Sequence, residues 1–321
     1  MIKHGDRSIG HLLVTSIMGH SGSGDIFPLN LLPSYRAMAK KIRDEKIPVI
    51  TKSATRYDRK GFYRWYAPWR CIKKIIGEGR VIGLLNSFGL RNKGVQKCAE
   101  MILSAINKGF NPIPSYFVEL SKGIDIALKE AKEAIAIYKQ VLGKHFWALE
   151  YNASCPNSGE SLEETEHLII IVARFFLSIL PAGVILIVKL SPVHSLELAL
   201  DLQEAGVHVI HSLNTFPHRV IFPNKISPLA QYGGGGYSGE LTFEPAFGIN
   251  RQLRSELRIP MIMGCGISSI AHVKRYADLI NTYSHTNFNK NSICICSIIR
   301  TDPKKAYDII YHTSQLFKRR S

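Results

Sequence analysis

Short, continuous apolar runs recur along the chain at 12–17, 48–52, 80–86, 116–120, 146–152, 184–190, 207–214, 260–264 and 292–296, the pattern of strands buried on both faces. Between most of them the apolar positions move to a spacing of three and four. In 123–142 they fall at Ile124, Ala127, Leu128, Ala131, Ile135, Tyr138 and Leu142, one buried face of a helix. Ser161-Leu162-Glu163-Glu164 is a capping box that opens the next helix, and 196–205 closes at Gly206, a C-terminal cap. Residues 168–190 are apolar enough to suggest a membrane span. Arg174 interrupts them and Pro181-Ala182-Gly183 divides them, so they predict a helix followed by a strand.

Strands alternating with amphipathic helices argue for a parallel sheet. At 321 residues the expectation is α/β, a (β/α)8 TIM barrel forming a single domain over 1–321. Nine strands are predicted where eight close a barrel, so one is accessory or misread. An open doubly wound sheet is the alternative, but no G-x-G-x-x-G follows an early strand. No internal repeat, low-complexity tract or linker divides the chain.

Charge changes the picture little. With 41 Lys and Arg against 25 Asp and Glu the net charge is +16, which suits an anionic partner or a basic solvated surface. Only 56–70 and the tail Lys318-Arg319-Arg320 concentrate it, so nucleic acid is not the expected partner. The six cysteines, at 71, 98, 155, 265, 294 and 296, form no C-x-x-C pair and no zinc-ligand spacing. Cys294 and Cys296 are two apart on a predicted strand and share a face, which suits packing. Without a signal peptide, a reducing cytoplasmic setting and no membrane association are expected.

The stretch with most chemistry is Glu150-Tyr151-Asn152-Ala153-Ser154-Cys155-Pro156-Asn157-Ser158-Gly159. The apolar run before it reads as a buried strand, and Pro156 and Gly159 turn it into a loop. Cys155 therefore emerges at a strand end, flanked by the carboxamides of Asn152 and Asn157. A buried structural Cys would be the alternative. Asn-x-Ser-Cys-Pro-Asn resembles the active-site segment of class 1 dihydroorotate dehydrogenases, in which the Cys is the catalytic base.

Further segments resemble the same family in order. Thr51-Lys52-Ser53 is similar to its Thr-Lys-Thr, which places Lys52 beside flavin and substrate carboxylate and Ser53 on the cofactor. Asn86-Ser87-Phe88-Gly89-Leu90-Arg91-Asn92 resembles the substrate-binding Asn-x-x-Gly-Leu-x-Asn, so Asn86, Ser87, Phe88, Gly89 and Leu90 are expected on the substrate. Val188-Lys189-Leu190-Ser191-Pro192 resembles a Lys-Leu-x-Pro segment whose Lys stabilises negative charge on the reduced flavin. Even without the resemblance, Lys189 ends an apolar strand and would be costly to bury without an anion. Asn214-Thr215 matches a substrate-binding pair, with Leu213 beside it on the cofactor. A turn containing Gly19 stands at the family's Ala-Ser-Gly segment, with Met18 where Ser is expected. Gly233 to Gly236 and Tyr237-Ser238-Gly239 resemble a glycine-rich loop near flavin, although four glycines alone would read as a linker.

The phosphate site is where the chain departs from the family. Met263-Gly264-Cys265-Gly266-Ile267 stands at Gly-x-Gly-Gly-Ile, and Ile295-Cys296-Ser297 at a Gly-Thr or Gly-Ser pair. Gly266 and Ser297 match; Cys265 and Cys296 replace glycines. Backbone donors survive such replacement, but space and φ freedom are reduced.

The resemblance implies an FMN-dependent oxidation of (S)-dihydroorotate to orotate in pyrimidine (UMP) biosynthesis. Cys155 is the base, Lys52 pairs with the carboxylate, and Asn86, Asn152, Asn157 and Asn214 hold the ring, with Asn152 also on FMN. Members either form homodimers or pair with an iron–sulfur/FAD electron-transfer subunit, the homodimer being expected first. Three other readings remain open at this point: a flavin barrel acting on another pyrimidine, an enzyme acting on dihydrouridine in RNA, and a non-catalytic relative that has lost flavin.

Overall fold

The computed structural model describes residues 2–4, 7–15, 19–23, 31–64, 66–153, 166–283 and 291–318. Among them, eight parallel strands form the barrel: β1 (Leu12–Thr15), β2 (Pro48–Ile50), β3 (Asn111–Ile113, resumed as Ser115–Tyr116), β4 (Ala148–Asn152), β5 (Ile185–Lys189), β6 (Val209–His211), β7 (Met261–Gly264) and β8 (Ser292–Ile295). Pro114 has no N–H and splits β3. The first half pairs with β2 and the second with β4, so the ring closes through this one strand.

A helix follows each strand: α1 (Pro33–Asp44), α2 (Gly94–Asn107), α3 (Ile124–Leu142), α4 (Glu166–Ile179), α5 (Leu196–Glu204), α6 (Phe243–Glu256), α7 (Ile270–Thr282) and α8 (Pro303–Lys318). Their caps follow the chain's own signals. Ser195 and Ser269 accept from the N–H groups of Leu198 and His272 at the starts of α5 and α7. Gly206, just past α5, takes φ +92°. The apolar stretch 168–190 is a helix and a strand, and no described helix is long and apolar enough to cross a membrane.

Period-two alternation divides the core in two. One set of strand side chains, including Leu13, Ile50, Ile113, Ile187, Val209 and Cys294, fills the barrel interior. The other set, including Val14, Leu149, Val188, Ile210, Met263 and Ile295, packs outward against the helices in the main cluster. Strands buried on both faces read as unbroken apolar runs, which is why the pattern was legible.

The surplus ninth strand is Arg80–Asn86. It lies outside the barrel in an antiparallel sheet ordered Phe216–Pro217, Gly236–Gly239, Arg80–Asn86, Ile72–Gly77. Its members come from two insertions, one between β2 and α2 and one between β6 and α6, both leaving C-terminal strand ends. The strand predicted at 116–120 is displaced to 111–116, because Pro112 and Pro114 hide a strand from propensity while Phe117 and Val118 are buried without being one. The capping box at 161–164 lies outside the described residues.

Candidate active site

Inward-facing positions turn from apolar to polar along the strands. Ala148 gives way to Glu150 and Asn152, Ile185 and Ile187 to Lys189, and Val209 to His211, so polar groups crown an apolar barrel. Lys189 is paired in register with Asn152 on one side and His211 on the other. Glu150, Asn152, Lys189 and His211 are all buried. An unbroken hydrogen-bond chain joins most of this layer. Asn152 Nδ2 donates to Ser53 Oγ at 2.8 Å, Ser53 and Ser115 hydroxyls meet at 2.9 Å, and Ser115 Oγ donates to Glu150 Oε1 at 2.7 Å. Glu150 Oε2 lies 2.6 Å from His211 Nδ1.

Burial pushes the Glu150 carboxyl up, but the Lys189 charge and the bonds from His211 and Ser115 outweigh it and hold the carboxyl below its ordinary range. Burial and then Lys189 lower His211, so its imidazole is neutral. A carboxylate only accepts, so Nδ1 of His211 is the donor.

Lys52 follows β2 on the same rim. Its N–H donates to Gly19 O at 3.0 Å, and its Nζ lies 4.4 Å from the centre of the Phe88 ring, a cation–π contact. Phe88 packs on Tyr63 at 5.3 Å, and the Arg91 guanidinium covers Tyr63 at 5.4 Å. Phe62 N–H donates to Phe88 O at 3.0 Å, fastening the two loops together. Gly89 and Leu90 both take left-handed φ, +62° and +54°. Asn86 Nδ2 donates to Gly236 O at 3.3 Å, and the fully buried Ser87 donates from Oγ to Tyr232 O at 2.6 Å. The Ser87 hydroxyl thus ties the accessory sheet together.

Across the same rim, Asn214 N–H donates to Leu190 O at 2.9 Å, and Asn214 Oδ1 accepts from Thr215 N–H at 2.9 Å. Leu213 is buried against Phe216 and Ala246, with Cys265 packed on the same cluster. Cys265 Sγ approaches Thr242 Oγ1 at 3.3 Å and Asn214 O at 3.7 Å. Thr242 in turn donates to Gly239 O at 2.7 Å, so Gly239, Cys265, Gly266 and Asn214 form one group. Gly264 pairs with Cys294, which brings the start of the Cys296-Ser297 turn to the same rim.

Cys265 adopts φ +76°, the conformation a glycine takes freely. The replacement keeps the backbone path and carries the strain of a Cβ in the left-handed region, about 1–2 kcal/mol. Cys265→Gly is therefore expected to raise the thermal midpoint by a few degrees, a net gain of about 1 kcal/mol after the added freedom of the unfolded chain. Cys265→Ala, which keeps the Cβ, should show no gain in the same melt; equal behaviour of the two variants would remove strain as the cause.

Two further histidines report on pH. Burial and then the Lys52 charge push His20 down to about 4. Burial does the same to His194, also to about 4, and its Nδ1 accepts from Ser191 N–H at 3.3 Å, which only a neutral ring can do. Both folded values lie below the ordinary 6.5, so protons bind the unfolded chain more readily. The stability they contribute is complete above pH 6.5 and is lost as pH falls. Unfolding at pH 5 should then cost less than at pH 7.5 by about 2 kcal/mol for each ring. Denaturant titration at the two pH values checks this, and His194→Gln should remove part of the difference.

Several site residues escaped the sequence reading. Glu150, Ser115 and His211 are one such group, and the signal for Glu150 was present: it stands two residues before Asn152 and shares its strand face. The turn at 19–23 holds another. Ser21 and Ser23 are buried, and a Cβ on Gly22 (φ +72°) would lie 3.2–3.4 Å from Pro112, Thr51 and Val49. Ser21-Gly22 thus offers the Ser-Gly pair that an alignment on Gly19 lacks. Met18, Cys155 and Asn157 lie outside the described residues.

An eight-stranded parallel barrel with its polar groups gathered at the C-terminal strand ends defines the class of TIM-barrel enzymes. The signature of the dihydroorotate dehydrogenase family matches residues 39–300, and the chain belongs to that family. The family is flavin-dependent. Among its relatives, the catalytic subunit of dihydroorotate dehydrogenase B (NAD(+)) of Porphyromonas gingivalis is 29% identical over 199 residues, 59% of this chain and 60% of the relative. The protein of the same name from Parabacteroides distasonis is 31% identical over 192 residues, 58% of this chain and 60% of the relative. That from Oceanobacillus iheyensis is 28% identical over 257 residues, 77% of each chain. The match with the first two thus spans 60% of the relatives' own length.

Proposed function

We propose that the protein oxidises (S)-dihydroorotate to orotate, with FMN bound noncovalently at the barrel mouth of one domain spanning the chain. The carrying observation is the rim itself: Lys52 and Asn152 are joined through Ser53 and its chain, and Asn152 is in register with the buried Lys189.

The residues present fit such a cofactor. The mouth holds a buried cation, and the turn after β7 passes so close to α6 that a Cβ on Gly266 would lie 2.4 Å from Phe243 N. Cys265 keeps the left-handed φ beside it. Lys189, Asn152, Ser53 and the backbone at Gly239, Cys265, Gly266, Cys296 and Ser297 would hold FMN, with Ser21-Gly22 in place of Gly19. When bound, FMN supplies the acceptor for the hydride that leaves C6.

The chain's own groups do the rest. Cys155, as thiolate, removes the proton from C5. Lys52, steadied over Phe88, pairs with the substrate carboxylate, and Asn86, Asn152, Asn157 and Asn214 fix the ring by hydrogen bonds from their carboxamides. The relatives are catalytic subunits of an NAD(+)-linked enzyme, which favours pairing with an electron-transfer subunit over a homodimer acting alone. The setting is cytoplasmic.

The test is mass spectrometry of the supernatant after denaturing the purified protein, followed by anaerobic addition of dihydroorotate to the intact protein. FMN, bleached by dihydroorotate, is the expected result. Another flavin, no flavin after reconstitution, or flavin that dihydroorotate does not reduce would overturn the proposal.

A further inference from the structure

Glu150 and His211 have no part in the chemistry above, yet they are among the most deeply buried polar groups of the barrel, 1% and 3% exposed. Their side chains touch although their strands are not neighbours, because β5 runs between β4 and β6. Adjacent strands lie about 4.8 Å apart, so a contact that skips one must cross the barrel interior. The β5 residue paired with His211 is Lys189, itself only 5% exposed. Glu150 is level with Ile187 on β5 and His211 with Lys189, so the carboxylate–imidazole pair crosses β5 between these two levels, within range of the Lys189 charge. Both Glu150 oxygens are held, one by Ser115 at 2.7 Å and one by His211 at 2.6 Å, so the carboxylate cannot swing away.

We propose that Glu150, clamped by His211 and Ser115, is the resident counter-charge of Lys189 and sets how much of the Lys189 charge acts on a ligand at the barrel mouth. The inference rests on the reading of that ligand as FMN. A buried ammonium without an anion is strongly unfavourable, and Glu150 relieves it before any ligand arrives. His211, being neutral, orients the carboxylate without adding charge. With Glu150 ionised, Lys189 is balanced, and negative charge gathering on the ligand is stabilised less than by a lone ammonium. Glu150 is thus a positioning residue that restrains the cation and tunes it.

Two measurements test this. The first is a thermal-unfolding cycle of wild type, Glu150→Gln, Lys189→Met and the double variant, all stripped of flavin. Each single change leaves one buried charge without its opposite, so each should lower the midpoint by several degrees. The double should melt well above the sum of the two losses. Additive losses overturn the pairing, whether or not the protein binds flavin. Should Glu150→Gln not fold, recovery of a folded double variant is the expected rescue, and its absence overturns the pairing. The second is the midpoint potential of bound FMN, measured by equilibration with redox dyes. It should rise in Glu150→Gln and stay near wild type in Glu150→Asp. Equal potentials in wild type and Glu150→Gln overturn the tuning. If wild-type protein takes up no FMN, the proposed function fails, and the unfolding cycle alone decides the counter-charge.

Discussion

Replacing Cys155 by alanine is expected to slow reduction of the bound flavin by dihydroorotate by about 10²–10⁴-fold, while the flavin stays bound. The size follows from what a general base contributes when no other group can take the proton. A free thiol has a pKa near 8.5 and is only a few per cent ionised at pH 7, so the wild-type rate should rise with pH until the thiolate is complete. Cys155→Ser should keep a small activity that also rises with pH, because a hydroxyl is a far poorer base near neutrality. Anaerobic stopped-flow reduction isolates this half-reaction from the electron acceptor. Wild-type speed in Cys155→Ala would move the base elsewhere and remove the main support for a class 1 mechanism.

Gly266→Ala is expected to destabilise the protein by roughly 3–4 kcal/mol and to abolish flavin retention. Two independent terms add. The left-handed φ of +72° costs about 1–2 kcal/mol with a Cβ, and overpacking costs about 1–3 kcal/mol more. Overpacking is unavoidable here because the new carbon would stand 2.4 Å from Phe243 N and 2.6 Å from its Cα, both backbone atoms that cannot rotate away. Gly234→Ala separates the terms: its φ is +82°, but nothing lies within 4 Å of the added Cβ, so it should cost only about 1 kcal/mol. Denaturant titration of both variants checks the difference, and similar losses would show that conformation alone matters at Gly266.

The barrel was legible because its strands are buried on both faces, so that each stands out as an apolar run between amphipathic helices. The ninth run, at 80–86, is likewise a strand, the accessory one expected beside the eight of the barrel. A strand half-buried in an antiparallel sheet can be as apolar as one in a barrel, and only its pairing with 72–77 and 236–239 separates the two. The four glycines at 233–236 would, taken alone, read as a linker. Three of them take left-handed φ in a turn that delivers Gly236 into the accessory sheet, where His218 N–H bonds to Gly235 O at 3.1 Å.

The candidate site divides in the same way. Short motifs that resemble the family singled out Cys155 between two carboxamides, Lys52 at a strand end and the turn at 263–267 as candidates, because such motifs are local to a strand and its loop; Lys189 stood out also by its own chemistry. The cost of burying Lys189 was also foreseeable from its apolar neighbours. Which anion answers it was not, since Glu150 lies 39 positions earlier and is brought near Lys189 by the parallel pairing of β4 with β5, which sets Glu150 level with Ile187 and Asn152 level with Lys189. The chain by itself thus determined the strands, the helices and the chemical groups at their ends. Tertiary structure alone decided which groups meet, because register and closure set distances between residues that no sequence spacing records, and burial then determines which charges must be paired.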